Sequence, residues 1–207
     1  MLSFFKSSKK KNTQKGKAFY ERENLVQTIE ELNEILSMLD SDDNINGKDP
    51  LLFQGKEFNT INKNILEEYF GEESFILNPD NNISEHEVYY YRITSEHLKF
   101  LIQIHFIDNQ FFLAGTKVYS DSLLSNNDKQ RVIKNITNKY YPEADSNLTE
   151  FNIVDPEGNI LWTKDDIFYH INYLYNNSTC QQLKKQYFGL GKPQSGQEIK
   201  NTLDSLI

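Results

Sequence analysis

Residues 86–120 read HEVYYYRITSEHLKFLIQIHFIDNQFFLAGTKVYS, and this stretch decides the fold. From Leu98 to Phe106 the apolar side chains occupy every second position, while Lys99, Gln103 and His105 lie between them. A period of two is typical of a strand that is buried on one face. The whole stretch therefore predicts three antiparallel strands at the centre of a sheet.

Two turns fix the predicted register of these strands. The first lies at Ser95–Glu96 and the second at Asp108–Asn109, whose residue types suit a two-residue hairpin turn. The resulting opposite pairs are Tyr89 with Ile102, Tyr91 with Phe100, Ile93 with Leu98, Ile104 with Leu113, and Phe106 with Phe111. Because both turns place apolar residues on the same face, they support a single register.

The second face of this sheet is mixed in character, so we expect it to be either covered by a later element or used for recognition. The candidate binding residues on it are His86, Tyr90, Arg92, Leu101, Gln103, His105 and Phe112. The register places His86 directly opposite His105, with Cβ atoms about 5 Å apart, which is close enough to share a zinc ion. A third ligand is missing nearby, so we predict no metal site.

The charge is distributed unevenly along the chain. The formal net charge is −8, but six lysines lie within the first 17 residues, which contain no acid. The remaining residues carry 16 basic and 30 acidic side chains, a net charge of −14. Because an acidic body repels nucleic acid, we expect no nucleic-acid partner, and a basic protein partner is favoured instead.

The cysteine content and the hydropathy pattern indicate the compartment. Cys180 is the single cysteine, so no internal disulfide can form, and no apolar stretch approaches the length that spans a membrane. These features predict a cytoplasmic protein. The N-terminal lysines can make weak contact with an anionic membrane surface, at about 1 kcal/mol per lysine. Position 2 is Leu rather than the Gly that myristoylation requires, so a second anchor is missing.

Four parts are predicted along the chain. Residues 1–20 form a disordered basic tail, and residues 21–57 form an N-terminal helix and a linker. Residues 58–192 form an α+β domain, and residues 193–207 form a C-terminal helical tail. The apolar spacing of 4, 3, 4 and 3 residues between Leu25 and Leu39 predicts one uninterrupted helix in the second part.

The α+β domain is predicted to end in a hairpin and helices. The turn Asp155–Asn159 joins two short strands, and Thr163 then caps a helix whose buried residues include Ile167 and Leu174. The predicted fold class is therefore α+β, with an antiparallel sheet built from the central meander and this hairpin. Helices are expected to pack on one face of that sheet, with helical extensions at both ends.

No catalytic constellation emerges from the sequence. A Gly-x-Ser-x-Gly elbow and a glycine-rich phosphate loop are both missing, and Cys180 has no adjacent histidine. Asp166 and His170 lie four residues apart, but no third polar group accompanies them as catalysis would require. We therefore expect no cofactor and favour a non-enzymatic role. The sequence carries no signal for an oligomeric state.

The order of the predicted elements is helix, meander, helix, hairpin and helix. This order is similar to that of secretion-chaperone-like α+β proteins of bacteria, although no residue motif carries the resemblance and it transfers no site. The leading hypothesis is a non-catalytic acidic protein that binds another protein, as a secretion-chaperone-like or toxin-neutralising, immunity-type partner. The alternative is a small-ligand or metal-dependent enzyme that uses a pocket on the second face of the sheet.

Overall fold

The structure is a computed structural model that describes residues 15–144 and 148–187. The helices are α1 (Lys17–Glu23), α2 (Ile29–Ser37), α3 (Lys63–Phe70), α4 (Asn126–Tyr140) and α5 (Ser178–Tyr187). The strands are β1 (Ile45–Asn46), β2 (Phe75–Leu77), β3 (His86–Ser95), β4 (Leu98–Ile107), β5 (Gln110–Tyr119), β6 (Asn152–Val154), β7 (Ile160–Asp165) and β8 (Tyr169–Leu174). Within the described ranges, no helix has both the length and the hydropathy needed to cross a bilayer. The predicted C-terminal helix at 193–207 lies outside the described residues.

All eight strands belong to one sheet, in the order β1-β6-β7-β8-β5-β4-β3-β2. Neighbouring strands are antiparallel except for β1, which pairs in parallel with β6. The α+β prediction is confirmed, but the sheet is mixed rather than purely antiparallel.

Helices lie on both faces of the sheet, so the expectation of helices on one face is not confirmed. On the first face, α3 and α4 share a core cluster with the apolar residues of the central strands. On the second face, α2 and α5 pack against β5 and the C-terminal hairpin, while Tyr20 of α1 packs against β2 and β3. A sheet that is covered on both sides explains why β4 is buried at nearly every position.

The first hairpin of the meander turns one residue later than predicted. Ser95 pairs with Leu98, so the turn consists of Glu96 and His97, and Glu96 adopts a positive φ of 55°. Each pairing between β3 and β4 therefore moves by two residues from the predicted register. Because side chains alternate between faces with a period of two, the predicted apolar face of β3 and β4 is preserved.

The second hairpin contains a β-bulge that changes the face of β5. The turn at Asp108–Asn109 and the pair of Phe106 with Phe111 are confirmed, but the next pair is His105 with Leu113, which leaves Phe112 as the extra residue. The predicted pair of Ile104 with Leu113 is therefore wrong: Ile104 pairs with Ala114. Beyond the bulge, Gly115 and Lys117 share the second face with Gln103 and Leu101.

The predicted N-terminal helix is interrupted. Its first part, α1, begins at Lys17 and buries Tyr20, so residues 17–20 are not part of a disordered tail; residues 1–14 lie outside the described residues. The second part, α2, begins after Thr28, which forms a reciprocal capping box with Glu31. The segment between them, residues 24–28, is not helical, and its backbone is extended at Asn24 and Thr28. In the predicted linker, β1 joins the sheet through β6.

The C-terminal hairpin is longer than predicted. Asp155–Asn159 forms the expected turn, with Gly158 at φ +80°, but β7 continues through Thr163 and returns as β8 instead of a helix. Ile167, expected on the buried stripe of that helix, is 70% exposed in the turn. β8 pairs with both β7 and β5, so the strand conformation joins the hairpin to the meander. Tertiary pairing thus overrides the helical spacing.

Gly115 allows the N-terminal segment to approach the sheet. A Cβ at this position would lie 2.4 Å from Cδ1 of Leu25, whereas a Cβ at Gly16 would meet nothing within 4 Å. We therefore expect Gly115→Ala to lower the free energy of unfolding by about 1–3 kcal/mol. Urea unfolding measures this loss, with Gly16→Ala as the matched control; equal stabilities of the two variants would contradict the packing described.

Candidate functional site

The seven residues proposed for the second face are mostly covered. His86, Tyr90, Leu101, Gln103, His105 and Phe112 are each at most 5% exposed, whereas Arg92 is half-buried. The cover is formed by α1, the segment 24–28, α2 and α5. Only the Arg92 end of this face therefore opens toward solvent, and the remaining residues form its interior.

A chain of hydrogen bonds crosses this interior. Nδ1 of His86 accepts from Nδ2 of Asn81 at 3.0 Å, and Nε2 of His86 lies 3.0 Å from Nδ1 of His105. Nε2 of His105 in turn lies 3.2 Å from Oε1 of Gln103. The predicted proximity of the two histidines is found, but as diagonal neighbours: Val88, not His86, is the residue opposite His105.

The direction of this chain defines the ring tautomers. Because the Asn81 amide donates to Nδ1 of His86, the proton of His86 is on Nε2, which donates to His105. His105 then carries its proton on Nε2 and donates to the Gln103 carbonyl oxygen. Every ring nitrogen therefore has a complementary partner when both rings are neutral, and an added proton would face another donor.

Burial reinforces the neutral state of both rings. It lowers the pKa of His86 to about 4, from an ordinary value of 6.5. The pKa of His105 is held well below its ordinary value, first by burial and second by the charge that His86 would carry. The same burial raises the pKa of Tyr90, whose hydroxyl donates to the backbone oxygen of Tyr20 at 2.9 Å.

The two ends of the chain hold the N-terminal segment. Oε1 of Gln103 accepts from the Leu25 amide at 2.9 Å, and its Nε2 donates to the Glu23 carbonyl at 2.9 Å. At the other end, Nδ2 of Asn81 donates to the Val26 carbonyl at 2.8 Å. The polar chain therefore fixes the backbone that covers it, which is a structural role.

The arrangement of these residues does not favour metal binding or nucleophilic catalysis. All four ring nitrogens of His86 and His105 are hydrogen-bonded, and the part of the chain that is described contains no group of three or more potential metal-binding side chains. Burial raises the pKa of Cys180 to about 12, so its thiol is unreactive at neutral pH. Oδ1 of Asp166, in the turn after β7, lies 3.4 Å from Nε2 of His170 in β8, so the two residues do not share a helix.

A cavity of about 440 Å³ opens at the Arg92 end of the second face. Its lining includes two of the predicted residues, Arg92 and Leu101, together with Glu23, Lys117 and Phe168. Nζ of Lys117 lies 2.7 Å from Oε2 of Glu23 and 3.8 Å from the centre of the Phe168 ring. The cavity thus has basic and aromatic walls, and it lies where the otherwise buried second face reaches solvent.

A second exposed feature is the edge of the sheet formed by β2. Ile76, at its centre, is 39% exposed, and β2 pairs with β3 on one side only. The ring of Phe70 lies 4.8 Å from that of Tyr91 in β3, so the C-terminal end of α3 lies beside this edge. The α3 end and the loop that follows it supply a group of carboxylates, and we refer to residues 67–77 as the acidic edge.

No family model, curated protein or solved structure matches the chain.

Several residues of these sites were not singled out from the sequence. Asn81 lies in an ordinary turn cluster, and no local signal separates it from its neighbours. Lys117 lies on the second face only because of the bulge at Phe112, which the alternating pattern of β5 does not predict. The run of four consecutive apolar residues, Phe111–Ala114, interrupts the alternation and is the signal that could have indicated the bulge.

The buried histidines make stability dependent on pH. In the folded chain His86 stays neutral down to about pH 4, whereas in the unfolded chain it binds a proton near pH 6.5. The unfolded state therefore binds more protons between these values, so the free energy of unfolding falls as the pH is lowered through this window. His86 alone accounts for about 3 kcal/mol of that loss.

Urea unfolding at a series of pH values measures this dependence. We expect His86→Leu/His105→Leu to flatten it, since Asn81 and Gln103 keep their bonds to the N-terminal segment when both rings are replaced. Thr137→Val, which changes a buried side chain without a titratable group, is the control and should keep the wild-type slope. A double variant with an unchanged slope would contradict the assignment to this pair.

Proposed function

We propose that the protein is a non-catalytic acidic protein that binds another protein by accepting a basic strand at the acidic edge. The observation that carries the proposal is an open sheet edge beside carboxylates that form no ion pair with any of the described residues. A partner of this kind is compatible with either a secretion-chaperone-like or a toxin-neutralising, immunity-type role. Both roles require stoichiometric binding rather than catalysis.

The backbone of β2 offers hydrogen-bonding groups to a partner. An edge strand directs alternate N–H and C=O groups away from its sheet, and an added strand can pair with them. Among the described residues, no backbone or side-chain hydrogen bond occupies the outer side of Phe75–Leu77. The inner side is held firmly, since Ser74 N–H donates to the Tyr90 carbonyl and Phe75 stacks on Tyr20.

The charges around this edge favour a basic partner. Glu67, Glu68 and Glu72 are exposed, and within the described ranges none of them forms an ion pair. Unpaired carboxylates beside the edge of the sheet create a negative potential, which accelerates association with a basic surface. They also keep identical edges apart, because two acidic edges repel each other.

Two exposed apolar side chains supply contact area at the same place. Ile76 is 39% exposed and Tyr69 is 36% exposed. Tyr and branched aliphatic residues that are ringed by polar groups are suitable anchors at protein interfaces. The acidic edge thus combines backbone pairing, apolar contact and charge.

Affinity purification of the tagged chain from its native cells tests this proposal. We expect a stoichiometric partner whose contacting segment is basic. Glu68→Lys/Glu72→Lys should weaken its binding at least about tenfold, because like charges then face each other. Asp42→Lys/Asp43→Lys is the matched control, since it makes the same change in charge beside β1, at the opposite edge of the sheet.

Two outcomes would refute the proposal. One is the recovery of the chain without any stoichiometric partner. The other is a partner that binds both double variants equally well, which would place the interface elsewhere. Adding Ile76→Lys to the acidic-edge variant provides a further check, since it changes an exposed side chain and should reduce binding again.

A further inference from the structure

We propose that the cavity at the Arg92 end of the second face binds a small organic anion with a planar, apolar body. This site is separate from the acidic edge and does not depend on the function proposed there. Its volume of about 440 Å³ falls in the range of small-molecule sites. The proposal rests on the charge, the ring content and the strand register of its walls.

The walls are basic in a chain that is acidic overall. Four cationic side chains line the cavity, against the single carboxylate of Glu23; they are Lys15, Arg92, Lys99 and Lys117. The whole chain has a formal net charge of −8. Since this local excess opposes the charge of the whole chain, an anion that approaches the protein is attracted toward this cavity.

The sheet register places two of these cations, Arg92 and Lys117, in one row across the sheet. Arg92 pairs with Leu101, Leu101 with Lys117, and Lys117 with His170 of β8. The row ends at Lys164 of β7, which pairs with His170. Three of the five strands in this row therefore contribute a cation, β4 contributes Leu101, and β8 contributes His170, whose pKa is lowered by burial. Asp166, 3.4 Å from His170, is an acid at its far end.

Two of the lysines are held in different ways. Lys117 is fixed between Glu23 and the Phe168 ring, and only about a sixth of its side chain is exposed. Lys99 pairs with Asp121, whose side chain is 86% exposed. An exposed carboxylate binds weakly because water competes for it, so a ligand anion can replace Asp121 as the partner of Lys99.

Aromatic rings provide the apolar part of the site. Phe19, Tyr119 and Phe168 line the cavity, and the rings of Tyr119 and Phe168 meet edge to face with centroids 6.1 Å apart. Such rings favour stacking or edge contact with a planar group. The chemistry that fits is therefore a phosphate or carboxylate attached to an aromatic or heteroaromatic body.

Isothermal titration calorimetry of the full chain tests the site with phenyl phosphate and adenosine monophosphate as probes. We expect at least one of them to bind with one-to-one stoichiometry and more tightly than inorganic phosphate or phenol, which each lack half of the chemistry. Binding should weaken as the salt concentration is raised, because the attraction is between charges.

Lys99→Gln is the informative variant because Lys99 has an exposed ion-pair partner and its loss leaves the core intact. We expect it to weaken probe binding by about ten- to a hundredfold, the value of one hydrogen bond to a charged group. Lys48→Gln is the matched control, since Lys48 also pairs with an exposed carboxylate, that of Glu143, but lies outside the cavity. It should bind as the wild type does.

The proposal is overturned if neither probe binds the folded wild-type chain, or if Lys99→Gln and Lys48→Gln bind equally well. It is also overturned if inorganic phosphate binds as tightly as phenyl phosphate, because the aromatic walls would then make no contribution. These outcomes are independent of partner binding at the acidic edge, which is measured with different variants.

Discussion

The hydrogen-bonded pair of His86 and His105 is the constraint on which the arrangement of the second face depends. Two rings that must stay neutral need a dry environment and complementary partners at every nitrogen. The sheet cannot supply that environment from one side, so the N-terminal segment covers the rings. Asn81 and Gln103 use their remaining hydrogen-bonding groups to hold that segment in place. Polar groups in the interior therefore determine where residues 23–26 pack.

Covering most of the second face leaves two kinds of surface at its margins. The acidic edge lies beside β2, where the sheet ends, and the basic cavity lies at one end of β3, β4 and β5. The two regions have opposite charge and different shapes, one a strand edge and the other a concavity. They therefore suit ligands of different classes, and a single ligand would not satisfy both.

The sequence was sufficient for the α+β class, the three central strands and the proximity of the two histidines. Alternating patterns report which residues are buried, and a turn placed one residue away changes the pairing without changing the face. The bulge at Phe112, the break before Thr28 and the conversion of residues 169–174 into a strand were missed. The break had a local signal in its capping box with Glu31, whereas β8 is a strand because β5 and β7 both pair with it. Strand pairing between segments that are far apart in the sequence leaves little local signal in the pattern of residues.

The bulge at Phe112 also adds a positive charge to the second face. A single additional residue moves Lys117 to that face and sends Val118 into the first core cluster. With one residue fewer, Val118 would face the cavity and the ammonium group of Lys117 would be directed into the apolar interior. An insertion or deletion in this hairpin thus changes which side chains of β5 are solvated, as well as the pairing of the strands. A deletion in β5 would therefore disturb the first core cluster and the cavity together.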